Sequence, residues 1–253
     1  MHNFNKSFQK ILLLVSLLCT IIILISGFML LRHFGLSGGS SNAATVDAPP
    51  RDEIEQDFLD ELDLPEDLIY DLPRGATALQ LELFAELFDA HDRFNRIASE
   101  VNLVQYASTI AQNFVADFFT LSNKTSRNDI GGLQFLADDI FEYFYDYVLN
   151  TFYLHLNHHI TNFGSDSLPT VGTITVLNSE SILYALSIDE YPGTEDLPLV
   201  QVDLEWTYLS TTLPYINEFQ TSARILLQEI NGEIRIRSIM EIPIENDSES
   251  ADY

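Results

Sequence analysis

Cysteine is almost absent from this chain, since Cys19 is the only one among 253 residues. A single thiol excludes an intramolecular disulfide and any metal site built from several cysteines. The folded part must therefore be stabilised by a hydrophobic core, for which a domain of about 170 residues is large enough.

Basic residues are also scarce in this chain. The chain has 12 lysines and arginines against 38 aspartates and glutamates, which gives a net charge of −26. This charge repels nucleic acid and anionic lipid surfaces, because binding to phosphates needs clustered lysines and arginines. The composition therefore excludes nucleic acid and favours basic protein surfaces or cations, although a solvated acidic surface is the simplest interpretation.

One long stretch near the N-terminus lacks charge altogether. The 21 residues from Ile11 to Leu31 are almost all apolar. At about 1.5 Å per residue, a helix of this length matches a bilayer core of about 30 Å. The sequence therefore predicts a transmembrane anchor that contacts the lipid bilayer through residues 11–31.

The flanks of the anchor indicate its direction. Lys6 and Lys10 precede it, Arg32 follows it, and no acidic residue occurs before Asp47. The positive-inside tendency favours a single-pass signal-anchor in the cell membrane, with the N-terminus cytoplasmic and the C-terminal domain extracytoplasmic. The alternative is a cleaved signal peptide, with the small residues 40–44 as the cleavage site. A cysteine-free exported domain is more typical of a bacterial surface than of an animal secreted module.

Composition divides the chain into four parts. Residues 1–33 form the cytoplasmic stub and anchor, and residues 34–75 form a flexible spacer with glycines, serines and then many acids. The apolar residues of the spacer are too sparse for a core of their own, although a motif that folds onto a partner is an alternative. Residues 76–243 are predicted to form the globular domain, and residues 244–253 an acidic, disordered tail.

Helical spacing of apolar residues fills the first half of the globular domain. Thr77 and Gln80 fit a capping box at the start of the first helix. Two further helices are predicted over about Val104–Leu121 and from Asp129 or Leu133 to His158.

Alternating apolar residues fill the second half, after Pro169. Asn231-Gly232 is typical of a two-residue hairpin turn. The predicted pairs across it are Glu229 with Ile234, Gln228 with Arg235, Leu227 with Ile236, Leu226 with Arg237 and Ile225 with Ser238. The expected fold is α+β, with about three helices packed on a four- to five-stranded antiparallel sheet.

This order of elements resembles the cone-shaped fold named after nuclear transport factor two, also called cystatin-like. An anchor followed by such a domain is similar to VirB-type and TcpC-type assembly proteins of bacterial conjugation and secretion systems. The segment Phe114–Leu121 resembles the second-helix region of these domains, and Asn123–Leu136 looks specific to a group of bacterial membrane proteins. The resemblance implies a cone-like domain that assembles with membrane or envelope proteins.

Enzymes of that fold place Asp, His or Tyr inside the cone. The residues predicted to face inward include no Asp or His, so we expect neither catalytic activity nor a cofactor. Tyr184, Trp206 and Tyr208 are on the predicted inward faces. The alternative hypothesis is that they line a cavity for a small apolar ligand, either in a binding module or in an enzyme.

Two histidines are the weak candidates for a metal site. His155 and His159 would share one face of a helix, as two ligands require. No third ligand is evident, so the sequence predicts no metal, and basic side chains near a helix C-terminus are the alternative interpretation.

Three arginines stand on the predicted outer face of the sheet. Arg224, Arg235 and Arg237 alternate with acidic residues there, which is ordinary cross-strand charge pairing. Arginine is also enriched at protein interfaces, so these residues are the predicted docking patch. The sequence thus predicts a membrane-tethered, non-catalytic interaction domain of a transfer, secretion or envelope complex, with a homo-oligomer as one form of assembly.

Overall fold

The computed structural model describes residues 53–62, 69–184, 197–209, 211, 213 and 215–242. The helices are α1 (Glu53–Glu61), α2 (Ala78–Arg96), α3 (Glu100–Phe118), α4 (Asp138–Leu149) and α5 (Leu156–Phe163), and the strands are β1 (Val171–Tyr184), β2 (Leu197–Tyr208), β3 (Ser222–Ile230) and β4 (Glu233–Met240). No helix among these residues is long and apolar enough to cross a membrane. The predicted anchor and the predicted acidic tail lie outside the described residues.

The four strands form one antiparallel sheet in the order β1-β2-β3-β4. Helix α3 packs across one face of this sheet, and α2 packs on α3. The core lies between α3 and the sheet, where the apolar side chains alternate along each strand as a half-buried sheet requires. Its largest fully buried residues include Phe114, Trp206, Ile225 and Ile234. The predicted α+β class with a four-stranded antiparallel sheet is confirmed.

The first two helices begin at side-chain caps. Thr77 accepts a hydrogen bond from the backbone of Gln80, and Gln80 accepts one from the backbone of Thr77, so the predicted capping box is present. Ser99 caps α3 through the backbone N–H of Asn102. This cap explains why α3 begins at Glu100, one turn before the predicted start.

The third predicted helix is divided in two. Helix α4 ends at Leu149, and α5 begins only at Leu156. In the turn between them, Tyr153 is fully buried. Its hydroxyl donates to the carbonyl of Phe118 at 2.8 Å and accepts from the N–H of Gly131 at 3.2 Å. The prediction of one continuous helix was wrong, because the turn lets the Tyr153 hydroxyl bond to two buried backbone groups.

The β3–β4 hairpin turns at Asn231-Gly232, where both residues have positive φ. The three pairs nearest the turn are as predicted. Further from the turn, a bulge at Arg237 shifts the register, so Leu226 pairs with Ser238 and Ile225 pairs with Ile239. The two predicted pairs beyond Leu227 were therefore wrong. The shift places apolar Ile239 opposite Ile225, where it packs against the core.

A bulge in β1 changes the face of the sheet on which its later residues lie. The register shifts between Val176 and Asn178, and beyond it Ile182 pairs with Leu199, whereas the register before the bulge would pair it with Pro198. Ile182 therefore lies on the face of the sheet opposite to the core.

The segment before α2 contributes to the fold, although it was expected to be spacer. Tyr70 and Leu72 are buried in the core. The Tyr70 hydroxyl donates to the carbonyl of Ile234 at 2.7 Å, and burial raises the pKa of Tyr70 to about 12. Within α1, the Glu55 carboxylate accepts from the N–H of Ala76 at 2.7 Å. This segment has too few apolar residues to form a core of its own, but Tyr70 and Leu72 are enough to pack it into the core of the domain.

Candidate functional site

Helix α4 carries two exposed aromatic residues, one of which is the most exposed aromatic ring among the described residues. Tyr143 is 78% exposed and Phe141 is 39% exposed, whereas Val148 is the only fully buried residue of this helix. We define the α4 outer face as the side of this helix turned away from α3, made of four rings and three carboxylates; the rings of Tyr145 and Tyr147 are half-buried against the core. Its members are Phe141, Tyr143, Tyr145, Tyr147, Asp138, Glu142 and Asp146.

The rings of the α4 outer face form two stacked pairs. The centroids of Phe141 and Tyr145 are 6.3 Å apart with an interplanar angle of 11°. Those of Tyr143 and Tyr147 are 6.4 Å apart with an angle of 13°. Each pair is four residues apart, so each forms a row along the helix. Burial raises the pKa of Tyr147, with Tyr143 adding to the effect.

A row of carboxylates runs between the two aromatic rows. Asp138, Glu142 and Asp146 are also spaced by four residues, and all three are exposed. With about 100° between successive helical residues, this acidic row falls between the aromatic rows on the solvent side. None of the three carboxylates makes a hydrogen bond or ion pair with another residue of the described part. The face thus combines ring faces with uncompensated negative charge.

The opposite side of α4 holds the helix in place. The Phe144 ring lies 6.2 Å from that of Phe114 and 5.5 Å from that of Phe118, both on α3. Just before the helix, the N–H of Ala137 donates to the carbonyl of Ile236 on β4 at 2.9 Å. The core and the sheet therefore fix the helix, while Phe141, Tyr143 and the three carboxylates of its outer face remain exposed.

The predicted docking arginine on β3 is engaged within the sheet. Arg224 binds Asp203 through two parallel hydrogen bonds of 2.7 Å each. Asp203 is the directly opposite residue on β2 and is itself buried. This is the bidentate cross-strand pair that the alternation of charges indicated.

The two predicted docking arginines on β4 are also paired within the chain. Arg235 binds Glu233 at 2.7 Å and the carbonyl of Gln134 at 2.5 Å. Arg237, at the bulge, binds Asp139 in the first turn of α4 at 2.5 Å. Both arginines therefore join the sheet to the segment that leads into α4.

The structure describes the side chains of two of the three residues of the predicted cavity, Trp206 and Tyr208. Trp206 is fully buried, with its ring 4.5 Å from that of Phe119. Tyr208 donates its hydroxyl to the carbonyl of Gln220 at 2.8 Å and packs its ring against Phe219 at 6.0 Å. The side chain of Tyr184 lies outside the described residues. Aromatic rings thus occupy the space beside Trp206.

The two candidate metal ligands lie at the start of α5. His155 precedes the first residue of the helix, and Nδ1 of His159 lies 3.2 Å from the hydroxyl of Tyr215. Burial lowers the pKa of both histidines, and His158 adds to the effect. Within the ranges that the structure describes, no three His, Cys, Asp or Glu side chains come together as metal ligands would.

A buried ion pair was not foreseen from the sequence. Asp117 and Lys124 are both buried, and their side chains are 2.5 Å apart. The second carboxylate oxygen of Asp117 accepts from the N–H of Gly132 at 2.7 Å. The pair thus binds the loop after α3 to the end of that helix, ahead of α4. The sign of this ion pair in the sequence is a single lysine, Lys124, in a long region where acidic and apolar residues predominate.

Comparisons with family models, curated proteins and solved structures return no match to this chain.

Proposed function

We propose that this chain is a non-catalytic protein-interaction domain that binds its partner through the α4 outer face. The observation that carries the proposal is the exposure of Phe141 and Tyr143 on a helix fixed by its other side. Exposed aromatic residues on a rigid element are typical of interface anchors, because they bury large areas at little entropic cost.

The state of the charged groups supports a binding role. Asp117 with Lys124 and Asp203 with Arg224 are compensated within the chain. A general acid or base needs a titratable group within reach of a substrate, whereas these groups stabilise the fold. The carboxylates that have no partner within the described residues lie instead on the α4 outer face.

The location in the cell is part of the same proposal. The apolar run from Ile11 to Leu31 would hold the domain at the cell membrane, with the domain extracytoplasmic. The partner would then be a membrane or envelope protein, in keeping with the resemblance to VirB-type and TcpC-type assembly proteins.

The test is site-specific photocrosslinking with the full-length chain in its native membrane. A benzophenone amino acid replaces Tyr143 in one variant and Gln105, an exposed residue of α3, in the control. We expect one protein to crosslink from position 143 but not from 105, and Phe141→Ala to reduce the yield at least about fivefold.

Three results of this experiment have distinct meanings. The identified protein, once purified, must bind the full chain directly for the proposal to stand. Equal labelling from both positions, or no adduct from position 143, contradicts it. An adduct between two copies of the chain would identify a homo-oligomer formed through this face.

A further inference from the structure

We infer that the α4 outer face binds an arginine-bearing segment of its protein partner, an inference that rests on the proposed interaction function. The guanidinium groups would lie over the exposed rings of Phe141 and Tyr143 and against the carboxylates between them. The occupant is thus a cationic protein segment, not an apolar helix alone.

Two independent features of the face select a cation. The faces of aromatic rings carry partial negative charge and attract cations placed over them. Asp138, Glu142 and Asp146 carry full negative charges and have no partner among the described residues. A ligand that satisfies both features must present positive charge and a surface that packs on rings.

Arginine fits these two demands better than lysine. Its guanidinium is planar, stacks on aromatic rings and forms paired hydrogen bonds with a carboxylate. The chain itself gives an example at this helix, because Arg237 binds Asp139 in the first turn of α4. Glu142 and Asp146 follow Asp139 on this helix, and neither binds an arginine among the described residues.

The charge of the whole molecule disfavours the other occupants. A second copy, like an anionic lipid surface, would meet a chain with a net charge of −26. The same field accelerates the approach of a basic partner segment and weakens as salt is added.

The experiment uses the full-length chain in nanodiscs of zwitterionic lipid and measures fluorescence anisotropy. The probes are labelled peptides of six arginines and of six lysines at 150 mM NaCl. One variant, Glu142→Gln/Asp146→Asn, removes two charges from the face. The matched control, Glu82→Gln/Glu86→Gln, removes two charges with the same spacing from the exposed side of α2.

We expect the face variant to weaken binding of the six-arginine peptide about tenfold and the control to weaken it less than about twofold. Tyr143→Ala leaves the charge unchanged and should still weaken binding about fivefold. The six-lysine peptide should bind several times more weakly than the six-arginine peptide.

Equal effects of the face variant and the control would mean that the peptide responds to net charge alone, which overturns the inference. So would equal binding of the two peptides. If the protein crosslinked at position 143 loses affinity with Tyr143→Ala but not with Glu142→Gln/Asp146→Asn, the interaction function stands and the arginine inference is wrong. Loss of affinity with both variants supports both.

Discussion

At the scale of single residues, the buried carboxylates of Asp117 and Asp203 are paired with basic side chains, whereas the three carboxylates of the α4 outer face have no partner among the described residues. The buried pair of Asp117 and Lys124 is the clearest case. Removing one partner leaves a buried charge alone, which typically costs about 3–5 kcal/mol, whereas replacing both partners by neutral residues costs much less.

We therefore expect Lys124→Met and Asp117→Asn each to lower the free energy of unfolding by about 3 kcal/mol or more. The double variant should cost clearly less than the sum of the two. Urea unfolding of the full chain in detergent measures this through the fluorescence of Trp206, which is buried and is the only tryptophan. Additive losses would show that the two charges do not stabilise each other.

The sequence predicted charge pairs only between neighbouring strands, where the backbone fixes which residues lie opposite each other. Alternation along β2 and β3 indicated that charges pair across strands, and Arg224 does bind Asp203. Asp117 and Lys124 face each other across the end of a helix, and no periodicity marks such a contact. The alternating pattern does not show how far an arginine is already engaged, and Arg224, Arg235 and Arg237 each bind an acidic residue of the chain.

At the scale of elements, the position of α4 depends on the loop that leads into it. Gly132 has a φ of 76°, and an added Cβ would lie 2.6 Å from the ring of Phe114. Gly232, in the β3–β4 turn, also has a positive φ, of 87°, with no atom near an added Cβ. The two glycines therefore separate backbone strain from a steric clash.

We expect Gly232→Ala to lower the free energy of unfolding by about 1 kcal/mol, from backbone strain alone. Gly132→Ala should cost about 1–3 kcal/mol more, because Phe114 must move within a packed core. The same urea unfolding measures both variants. Equal losses would show that the core beside Gly132 adapts to the extra methyl group and does not fix the approach to α4.

The elements predicted best from the sequence are those with a local signal. Thr77 and Gln80 define the start of α2, and Asn231-Gly232 defines a hairpin. The break between α4 and α5 has no local signal, because Tyr153 leaves the helix to bond with residues that are distant in sequence. The docking of Leu72 was missed for the same reason, since its neighbours belong to the core of the domain.

At the scale of the whole molecule, the proposed function requires the acidic domain and the basic N-terminal flank to lie on opposite sides of a membrane. Only three lysines and arginines flank the apolar run: Lys6 and Lys10 precede it, and Arg32 follows it. The predicted direction of insertion therefore depends on a small difference in positive charge. A direct measurement of topology therefore tests whether the α4 outer face is presented outside the cell.

Single cysteines introduced into a Cys19→Ser background report the topology. Asn217→Cys is on an exposed position of the domain, and Asn3→Cys precedes the apolar run. We expect a membrane-impermeant maleimide to label position 217 in intact cells and position 3 only after permeabilisation, because the positive flank is retained inside. The reverse pattern contradicts the proposed orientation. If the chain instead leaves the membrane in carbonate and has lost position 3, the alternative of a cleaved signal peptide is correct.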